Sequence, residues 1–264
     1  MSRREGATAG VEETIDLLVR RHEFVRCLRE RPLEKRAMTD ELGVSRSTVD
    51  RAMRELETAG IVEFVDGAYA VAPFGEVVAE AYARLEETID VSWRLEPIYR
   101  WVSPEDFDVD PRLLADADVY VPRPGDPYAP INRHVETIRE MDTYRGVIPA
   151  TGQHATEAGG EAVLENGARA ELVVTHDVAA TQRSSGYADT MGKMIESERF
   201  RLLVTPRGTH VPYAVHVFDE EVVQIIVHDS DEPRAMLESD SPAAREWAEE
   251  TYREYREVAE PIEF

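Results

Sequence analysis

Residues 42–63 read LGVSRSTVDRAMRELETAGIVE, and this stretch decides the fold of the first part of the chain. Gly43 favours a tight turn, because a residue without Cβ adopts positive φ at little cost. Ser45 is a good N-cap, since its hydroxyl can accept from the free amides of the next turn. Apolar residues then recur at helical spacing and predict the buried stripe of a helix: Val49, Met53 and Leu56. The stretch therefore predicts a helix that begins at Ser45.

The residues on either side extend this pattern to a small domain. Upstream, apolar spacing predicts helices over residues 11–29 and 35–42. Downstream, residues 61–65 and 68–72 read as two strands, and a two-residue hairpin signal joins them, Asp66-Gly67. Three helices followed by a hairpin predict a winged helix-turn-helix.

The exposed side of the third helix carries the chemistry that suits a DNA major groove. Arginine can bond a guanine edge in bidentate fashion or hold a phosphate, while serine and threonine reach base edges or phosphate. The candidate DNA-contacting residues are Ser45, Arg46, Ser47, Thr48, Asp50, Arg51 and Arg54. A winged helix used only for protein contacts is the alternative.

The quoted stretch resembles the core of archaeal and bacterial winged helix-turn-helix repressors. In that family a phrase of the form LGVSRSTV-R-L-EL---G-V recurs, and the resemblance implies a DNA-binding fold without indicating the operator. Asp66 departs from the basic wing tip that such proteins often carry. This departure puts contact between the wing and phosphate in question.

The charge of the chain is strongly acidic and unevenly distributed. The 264 residues include 53 Asp or Glu and 30 Lys or Arg, for a net charge of −23, and only Lys35 and Lys193 are lysines. This balance predicts a halophile, in which salt screens the self-repulsion, with an ordinary acidic protein as the alternative. Residues 1–75 carry 12 basic and 14 acidic residues, so the winged helix stays near neutral and suits an anionic partner.

Length and composition bound the remaining possibilities. A chain of this length predicts two domains, and its single cysteine, Cys27, excludes a disulfide scaffold. Neither a signal peptide nor a membrane span is expected, because no apolar run is long enough. We expect a soluble cytoplasmic protein.

A connecting helix is predicted over residues 74–99 from apolar residues at spacings of three and four. A winged helix needs only part of this length. The surplus apolar face could pair with a second copy and give a dimer that reads two half-sites. Packing back on the first helix or on the second domain is the alternative.

Beyond Pro104, short β-rich runs alternate with helical stretches. The predicted strands are 118–121, 144–149, 169–175, 201–205, 213–219 and 222–228, and the predicted helices are about 130–142, 154–166, 186–197 and 241–259. The fold class is α/β, with a C-terminal α/β sandwich on a mostly parallel sheet and an antiparallel hairpin at its edge. The predicted domains are the winged helix, 1–73, the connecting helix, 74–104, and the sandwich, 105–264.

Four segments of the C-terminal part carry a second resemblance: YRGVIPATG, ARAELVVTH, RLLVTPRGTHVPYAVHVFDEEVVQIIVHD and SPAAREWAEETYREYREVA. Together with the winged helix they are similar to an archaeal, here haloarchaeal, regulator family whose middle domain was first named in a methanogenesis regulatory protein. Arg207, Gly208 and Tyr213 match the basic residue, loop and aromatic of that family. A sugar-responsive archaeal regulator family with a phospholipase-D-like domain is the competing resemblance. Either one implies transcription regulation with sensing in the C-terminal half.

Catalytic and metal chemistry find little support in the sequence. His210, His216 and His228 lack the spacing of a closed metal site. The pattern HxKxxxxD of phospholipase D, started at His210, meets Pro212 and Val217 at the other two positions. Ser184-Ser185 lie near His176 and Asp177 in sequence, so the residue types of a Ser-His-Asp catalytic triad are present. The sequence motif of a nucleophile elbow is absent. No catalytic residue, metal or cofactor is predicted.

A ligand pocket is the more natural reading of the C-terminal part. Small molecules settle at the carboxyl ends of strands in open α/β sheets. The candidate ligand-binding residues are Thr175, His176, Asp177, Arg207 and Tyr213. A surface ion pair is the alternative role of Arg207.

These observations predict a homodimeric, effector-responsive transcription regulator. Its expected partners are double-stranded DNA and a small-molecule effector, with no membrane. A small hydrolase with an appended winged helix and an interaction adaptor are the two alternatives.

Overall fold

The structure is a computed structural model that describes residues 2–183, 186–230 and 232–262. Ser184 and Ser185, the serines considered above for a catalytic triad, lie outside these residues. The chain divides into two compact units, Met1–Ile89 and Asp90–Phe264.

The first unit is a winged helix-turn-helix, as the sequence predicts. Its elements are α1 (Ser2–Glu30), α2 (Lys35–Leu42), α3 (Arg46–Thr58), β1 (Val62–Val65), β2 (Ala68–Val71) and most of α4 (Pro73–Arg94). Leu33 adds a third strand position, because it exchanges both backbone hydrogen bonds with Tyr69 of β2 at 2.9 Å. The core is apolar and draws on every one of these elements.

The start of α4 lies very close to Ile61, the residue just before β1. A Cβ placed on Gly75 would stand 1.9 Å from the carbonyl oxygen of Ile61. That oxygen accepts the backbone N–H of Ala72 at 2.9 Å, which holds it in place. Only glycine fits at position 75 without moving the backbone.

The second unit begins at the end of α4 and contains most of the secondary structure. In chain order its elements are α5 (Glu96–Tyr99), a short 3-10 helix (Pro111–Leu114), β3 (Asp118–Tyr120), α6 (Ala129–Glu140), β4 (Thr143–Ile148), α7 (Gln153–Leu164), β5 (Arg169–Val174), α8 (His176–Gln182), α9 (Ala188–Glu196), β6 (Phe200–Val204), β7 (Ala214–Phe218), β8 (Val222–Asp229), β9 (Glu232–Ser239), α10 (Pro242–Val258) and β10 (Glu260–Pro261).

The sheet of this unit is mixed, so the prediction of a mostly parallel sheet is wrong. In the described part of the chain its eight strands follow the order β10-β6-β5-β4-β7-β8-β9-β3. Only β4 with β5 and β5 with β6 are parallel, and the other neighbours are antiparallel. The β7–β8 hairpin lies inside the sheet and not at its edge, because β9 and β3 extend the sheet beyond it.

The sheet separates two apolar layers, because alternate residues of a strand face opposite sides. On β5, Leu172 packs in the cluster built with α6, α7 and α9, whereas Val173 packs against Tyr252 of α10. Ser241 caps α10 and accepts from the N–H of Ala244 at 3.1 Å. The second unit is therefore a three-layer α/β/α sandwich.

The predicted connecting helix is interrupted near its end. Leu95 separates α4 from α5, and Pro97 stands in the first turn of α5, where its missing N–H costs nothing. Leu95 and Ile98 are buried in the core of the second unit. Among the helices of the described residues, none is both long and apolar enough to cross a membrane.

Candidate nucleic-acid interface

Hydroxyl groups hold the start of α3. The Ser45 hydroxyl accepts the N–H of Thr48 at 3.2 Å, which confirms its capping role. The same oxygen lies 2.8 Å from the Ser47 hydroxyl and 2.9 Å from the Thr48 hydroxyl. Ser45 and Thr48 thus help to fix the N-terminus of α3, while Ser47 remains exposed.

One side of α3 is buried and the opposite side is open. Val49, Ala52, Met53 and Leu56 are buried in the core of the first unit. Five of the candidate residues share the opposite side of the helix, because their positions fall within one arc at 3.6 residues per turn. We call this side the arginine face: Arg46, Ser47, Asp50, Arg51 and Arg54.

The arginines of this face form no ion pair, unlike most basic residues of the first unit whose side chains the structure describes. Ion pairs engage Arg20 and Arg21 with Glu55, Arg29 with Glu76 and Glu80, and Arg31 with Glu41. Within residues 10–89, whose side chains the structure describes, the basic residues without an ion pair are Arg26, Arg36, Arg46, Arg51 and Arg54. Three of these five lie on the arginine face, so positive charge is left available there.

Asp50 is neutralised on the arginine face by an ion pair with α2. Lys35 Nζ lies 2.7 Å from Asp50 Oδ1, and this hydrogen bond lowers the pKa of the carboxyl group. The Lys35 ammonium also lies 5.5 Å from the centre of the Tyr69 ring. Asp50 therefore ties α2 to α3 and weakens the repulsion that its charge would exert on a phosphate.

Arg36 is a candidate contact that the sequence reasoning missed. It is exposed at the start of α2, next to the Lys35 that touches Asp50, so this end of α2 lies beside the arginine face. Asp40, one turn further along, would have predicted an ion pair from sequence. Only the structure leaves Arg36 unpaired.

The wing is short and carries no positive charge. Asp66 and Gly67 have positive φ of 53° and 90°, the geometry of the predicted two-residue hairpin. The exposed Phe64 packs on Tyr69 with ring centres 4.9 Å apart. Glu63 and Asp66 are the only charged residues in residues 62–71, so the wing offers no positive charge to attract phosphate.

The predicted ligand-binding residues are spread over the second unit. Thr175 caps α8 by accepting the N–H of Val178 at 3.4 Å, with His176 and Asp177 in the first turn. Arg207 is exposed in the loop after β6. Tyr213 is buried and packs its ring 5.2 Å from that of Phe107. Their ligand role stays a prediction.

A separate cavity lies between the sheet and helices α6, α7 and α9. Its volume is about 150 Å³, and its walls are mostly apolar. None of the predicted ligand-binding residues lines it. The polar residues on its wall, within the described chain, are Thr151, Thr156, Gln182, Tyr144 and three histidines, His134, His216 and His228.

Two of these histidines are held by hydrogen bonds deep in the unit. His134 Nδ1 lies 2.7 Å from Gln224 Oε1, and His216 Nδ1 lies 2.6 Å from the Tyr144 hydroxyl. Burial lowers the pKa of His134 to about 4, although the Gln224 hydrogen bond and the charge of Glu238 oppose this shift. Burial also lowers the pKa of His216. Both rings are therefore neutral at pH 7.

We expect mild acid to destabilise the second unit. Between about pH 6.5 and pH 4 the unfolded state binds a proton on His134 that the folded state excludes, so stability falls as the pH falls through this range. The loss from His134 reaches roughly 3 kcal/mol near pH 4. All three tryptophans lie in this unit, so melting followed by tryptophan fluorescence at pH 7 and pH 5 measures the effect.

A His134→Gln variant provides the control. It keeps a polar side chain but removes the titrating ring, so its melting temperature should depend less on pH than that of the wild type. Equal pH dependence in the two proteins would contradict the assignment. Reduced repulsion among the surface carboxylates at low pH acts in the opposite direction and affects both proteins alike.

The histidines that the sequence places near one another do not form one cluster. His210 is exposed, with Nε2 3.3 Å from Asp106 Oδ1, whereas His216 is buried. Among the described residues, no group of three His, Cys, Asp or Glu side chains is placed to hold a metal ion.

The chain combines a winged helix-turn-helix, a fold typical of DNA-binding regulators, with a three-layer α/β unit. Residues 127–258 match the family model described as the middle domain of the methanogenesis regulatory protein FilR1, and residues 12–94 match the HVO_A0261 N-terminal domain. The first match covers half of the chain, and the chain belongs to the FilR1 middle-domain family. This finding favours the first of the two resemblances over the sugar-responsive family.

The similarity to solved structures is distant. The archaeal chromatin protein TrmBL2, whose structure is described as showing a novel mode of DNA binding, is 13% identical with a TM-score of 0.42, over 95% of this chain and 99% of that one. The phospholipase D family member Nuc from Salmonella typhimurium is 13% identical with a TM-score of 0.43, over 56% of this chain and 98% of that one. A comparison with curated proteins gives no match. Likenesses at this level assign no activity.

Proposed function

We propose that this protein is a DNA-binding transcription regulator that reads duplex DNA through the arginine face. The observation that carries the proposal is the exposure of three arginines that form no ion pair on the open side of α3. The chain has a net charge of −23, so a face with three exposed arginines differs from the rest of it. Such a face can attract the phosphates of DNA. Helix α3 would lie in the major groove, with Arg36 at the start of α2 on the phosphate backbone.

Chromatin immunoprecipitation with sequencing tests this function directly. The expected result is a limited set of genomic sites that share one sequence motif. Absence of any site would favour an interaction adaptor. Substrate turnover that is lost on changing His176 or Asp177 would favour the hydrolase instead.

We also propose that the protein acts as a homodimer. Four apolar side chains are exposed around a groove between α1 and α4 in the first unit: Val11, Ile15, Phe74 and Leu85. A second copy with the same groove would cover them and place two arginine faces on two half-sites. One small winged helix contacts too few bases for useful specificity by itself.

Introducing charge into this groove should separate the two copies. The double change Ile15→Glu and Leu85→Glu buries two carboxylates in an apolar interface, which is unfavourable. We expect light scattering after size exclusion to give the mass of a dimer for the wild type and of a monomer for the variant. Val258→Glu, at an exposed apolar position of α10, is the control that should remain dimeric. A monomeric wild type would refute the proposal.

The acidic surface suggests that the protein works in concentrated salt, as in haloarchaea. Repulsion among the surplus carboxylates is screened when the Debye length falls from about 10 Å at 0.1 M salt to about 3 Å at 1 M. We expect the melting temperature to rise by several degrees between low and molar KCl. A melting temperature that falls or stays constant would indicate an ordinary acidic protein.

The proposed division of labour follows the sequence. Residues 1–73 would read DNA, residues 74–104 would connect and pair the copies, and residues 105–264 would sense an effector. An effector acts only if it prefers one of two states of the dimer, so that binding shifts the population toward tight or weak operator binding.

A further inference from the structure

The cavity in the second unit has the size of a small-ligand site. At about 150 Å³ it is as large as the engineered apolar cavity known to bind benzene. Most of its wall is apolar, with contributions from Ile138, Leu172, Met191, Met194 and Phe200. Such a space excludes molecules much larger than about ten non-hydrogen atoms.

Two buried polar atoms beside this cavity have no hydrogen-bond partner within the described residues. They are Gln182 Oε1 and His216 Nε2. Both residues are only 2% exposed, so bulk water does not reach them. A buried polar atom left without a partner costs about 1–3 kcal/mol, and a molecule in the cavity can remove this cost.

The hydrogen bond from Tyr144 determines the proton that His216 offers. A neutral imidazole carries one N–H, on either Nδ1 or Nε2. If Nδ1 carried it, the buried phenolic hydrogen of Tyr144 would have no acceptor among the described residues. The Tyr144 hydroxyl therefore donates to Nδ1, and His216 Nε2 bears the N–H. His216 therefore carries an unused donor and Gln182 an unused acceptor, and both residues line the cavity.

Charge is missing from the wall of this cavity. Of the lining residues that the structure describes, none is Lys, Arg, Asp or Glu. The His134 ring, 4.5 Å from that of His216, is engaged with Gln224 at Nδ1. A charged molecule would lose its hydration here without gaining a counter-charge.

We propose that this cavity binds an uncharged molecule of about ten or fewer non-hydrogen atoms, largely apolar, with an acceptor for His216 Nε2 and a donor for Gln182 Oε1. The site rests on the proposed function only in its role as the effector site of a regulator. It differs from the strand-end residues that the sequence favours, because none of those lines the cavity.

Three probes of similar size test the chemistry of the site. Phenol offers a hydroxyl that can donate and accept, toluene has a methyl group in its place, and benzoate carries a charge. Titration calorimetry on the full chain should detect phenol binding, with toluene at least 10-fold weaker and no binding of benzoate. Failure to bind phenol, or equal binding of all three probes, overturns the proposal.

Variants of two helical glycines show where phenol binds. A Cβ on Gly159 of α7 meets nothing within 4 Å and Gly159 lines the cavity, so Gly159→Leu fills the space. Gly192 of α9 also has open space around its Cβ but does not line the cavity, so Gly192→Leu is the matched control. We expect phenol affinity to fall at least 10-fold in the first variant and to stay unchanged in the second. Equal phenol affinity in both variants overturns the proposal.

Gln182→Met tests the predicted acceptor. Methionine has a similar length without the amide, so phenol should lose its advantage over toluene. A retained preference for phenol would remove Gln182 from the site.

The same preparations separate this site from the proposed function. A duplex selected from a random library by the wild type reports on DNA binding with and without phenol. If phenol binds as expected while no duplex is selected, the regulator fails and the site stands. If the duplex binds while phenol does not, the site fails and the regulator stands. A duplex affinity that changes at least 3-fold on adding phenol supports the effector role, and no change removes it.

Discussion

Replacing both Arg51 and Arg54 with alanine should reduce affinity for a selected duplex by about 100-fold, since one good arginine–guanine pair contributes about 1–3 kcal/mol. Both side chains are exposed on the arginine face, without ion pairs in the described structure, so their loss should leave the fold intact. Fluorescence anisotropy at one fixed salt concentration measures the change, with melting curves as the check on folding.

A pair of lysine substitutions separates base reading from simple charge. Arg51→Lys with Arg54→Lys keeps both positive charges but loses the planar bidentate group. We expect weak binding to unrelated duplexes to persist while the preference for the selected duplex falls. Full affinity in the alanine variant would reject α3 as the reading helix, and full preference in the lysine variant would assign both arginines to phosphate.

Gly75→Ala should cost the first unit about 3 kcal/mol of its free energy of unfolding. The added Cβ would overlap the Ile61 carbonyl oxygen, which the Ala72 N–H holds in place. The start of α4 must therefore move away from the helix-turn-helix. Because no tryptophan lies in the first unit, the loss should appear in the far-ultraviolet circular dichroism melt before tryptophan fluorescence changes.

Gly10→Ala is the matched control for this change. Gly10 also lies in a helix, but its Cβ would meet nothing within 4 Å. Alanine there should be neutral or stabilise by up to about 1 kcal/mol, because glycine is a poor helix former. If the two variants melt at the same temperature, the close approach of Gly75 to Ile61 is not a feature of the folded protein.

The winged helix was predictable because local signals determine it. Helix α2 lies where its apolar spacing places it, Ser45 caps α3, and Asp66-Gly67 closes the hairpin. Each of these features depends on residues within one or two turns of chain. The ion pair of Lys35 with Asp50 was not predictable, since it depends on how α2 and α3 pack.

The sheet was mispredicted because one strand does not look like a strand. β9 reads EPRAMLES, and its Pro233 and charged residues are typical of a loop. With β9 missing, β3 had no antiparallel neighbour, and the alternation of strands and helices favoured a parallel sheet. The cavity was beyond prediction for a related reason: Gln182, His216 and Gly159 come from distant segments that only the packed fold brings together.

A wing without positive charge would limit the length of DNA that one copy contacts. Without contacts at the neighbouring groove, each copy would read only the few base pairs under α3. A half-site this short is not unique in a genome. The specificity of the dimer would then depend on the spacing between two such half-sites. The dimer would distinguish promoters that carry identical half-sites at different spacings. Insertion or deletion of single base pairs between the half-sites would then change the set of regulated genes.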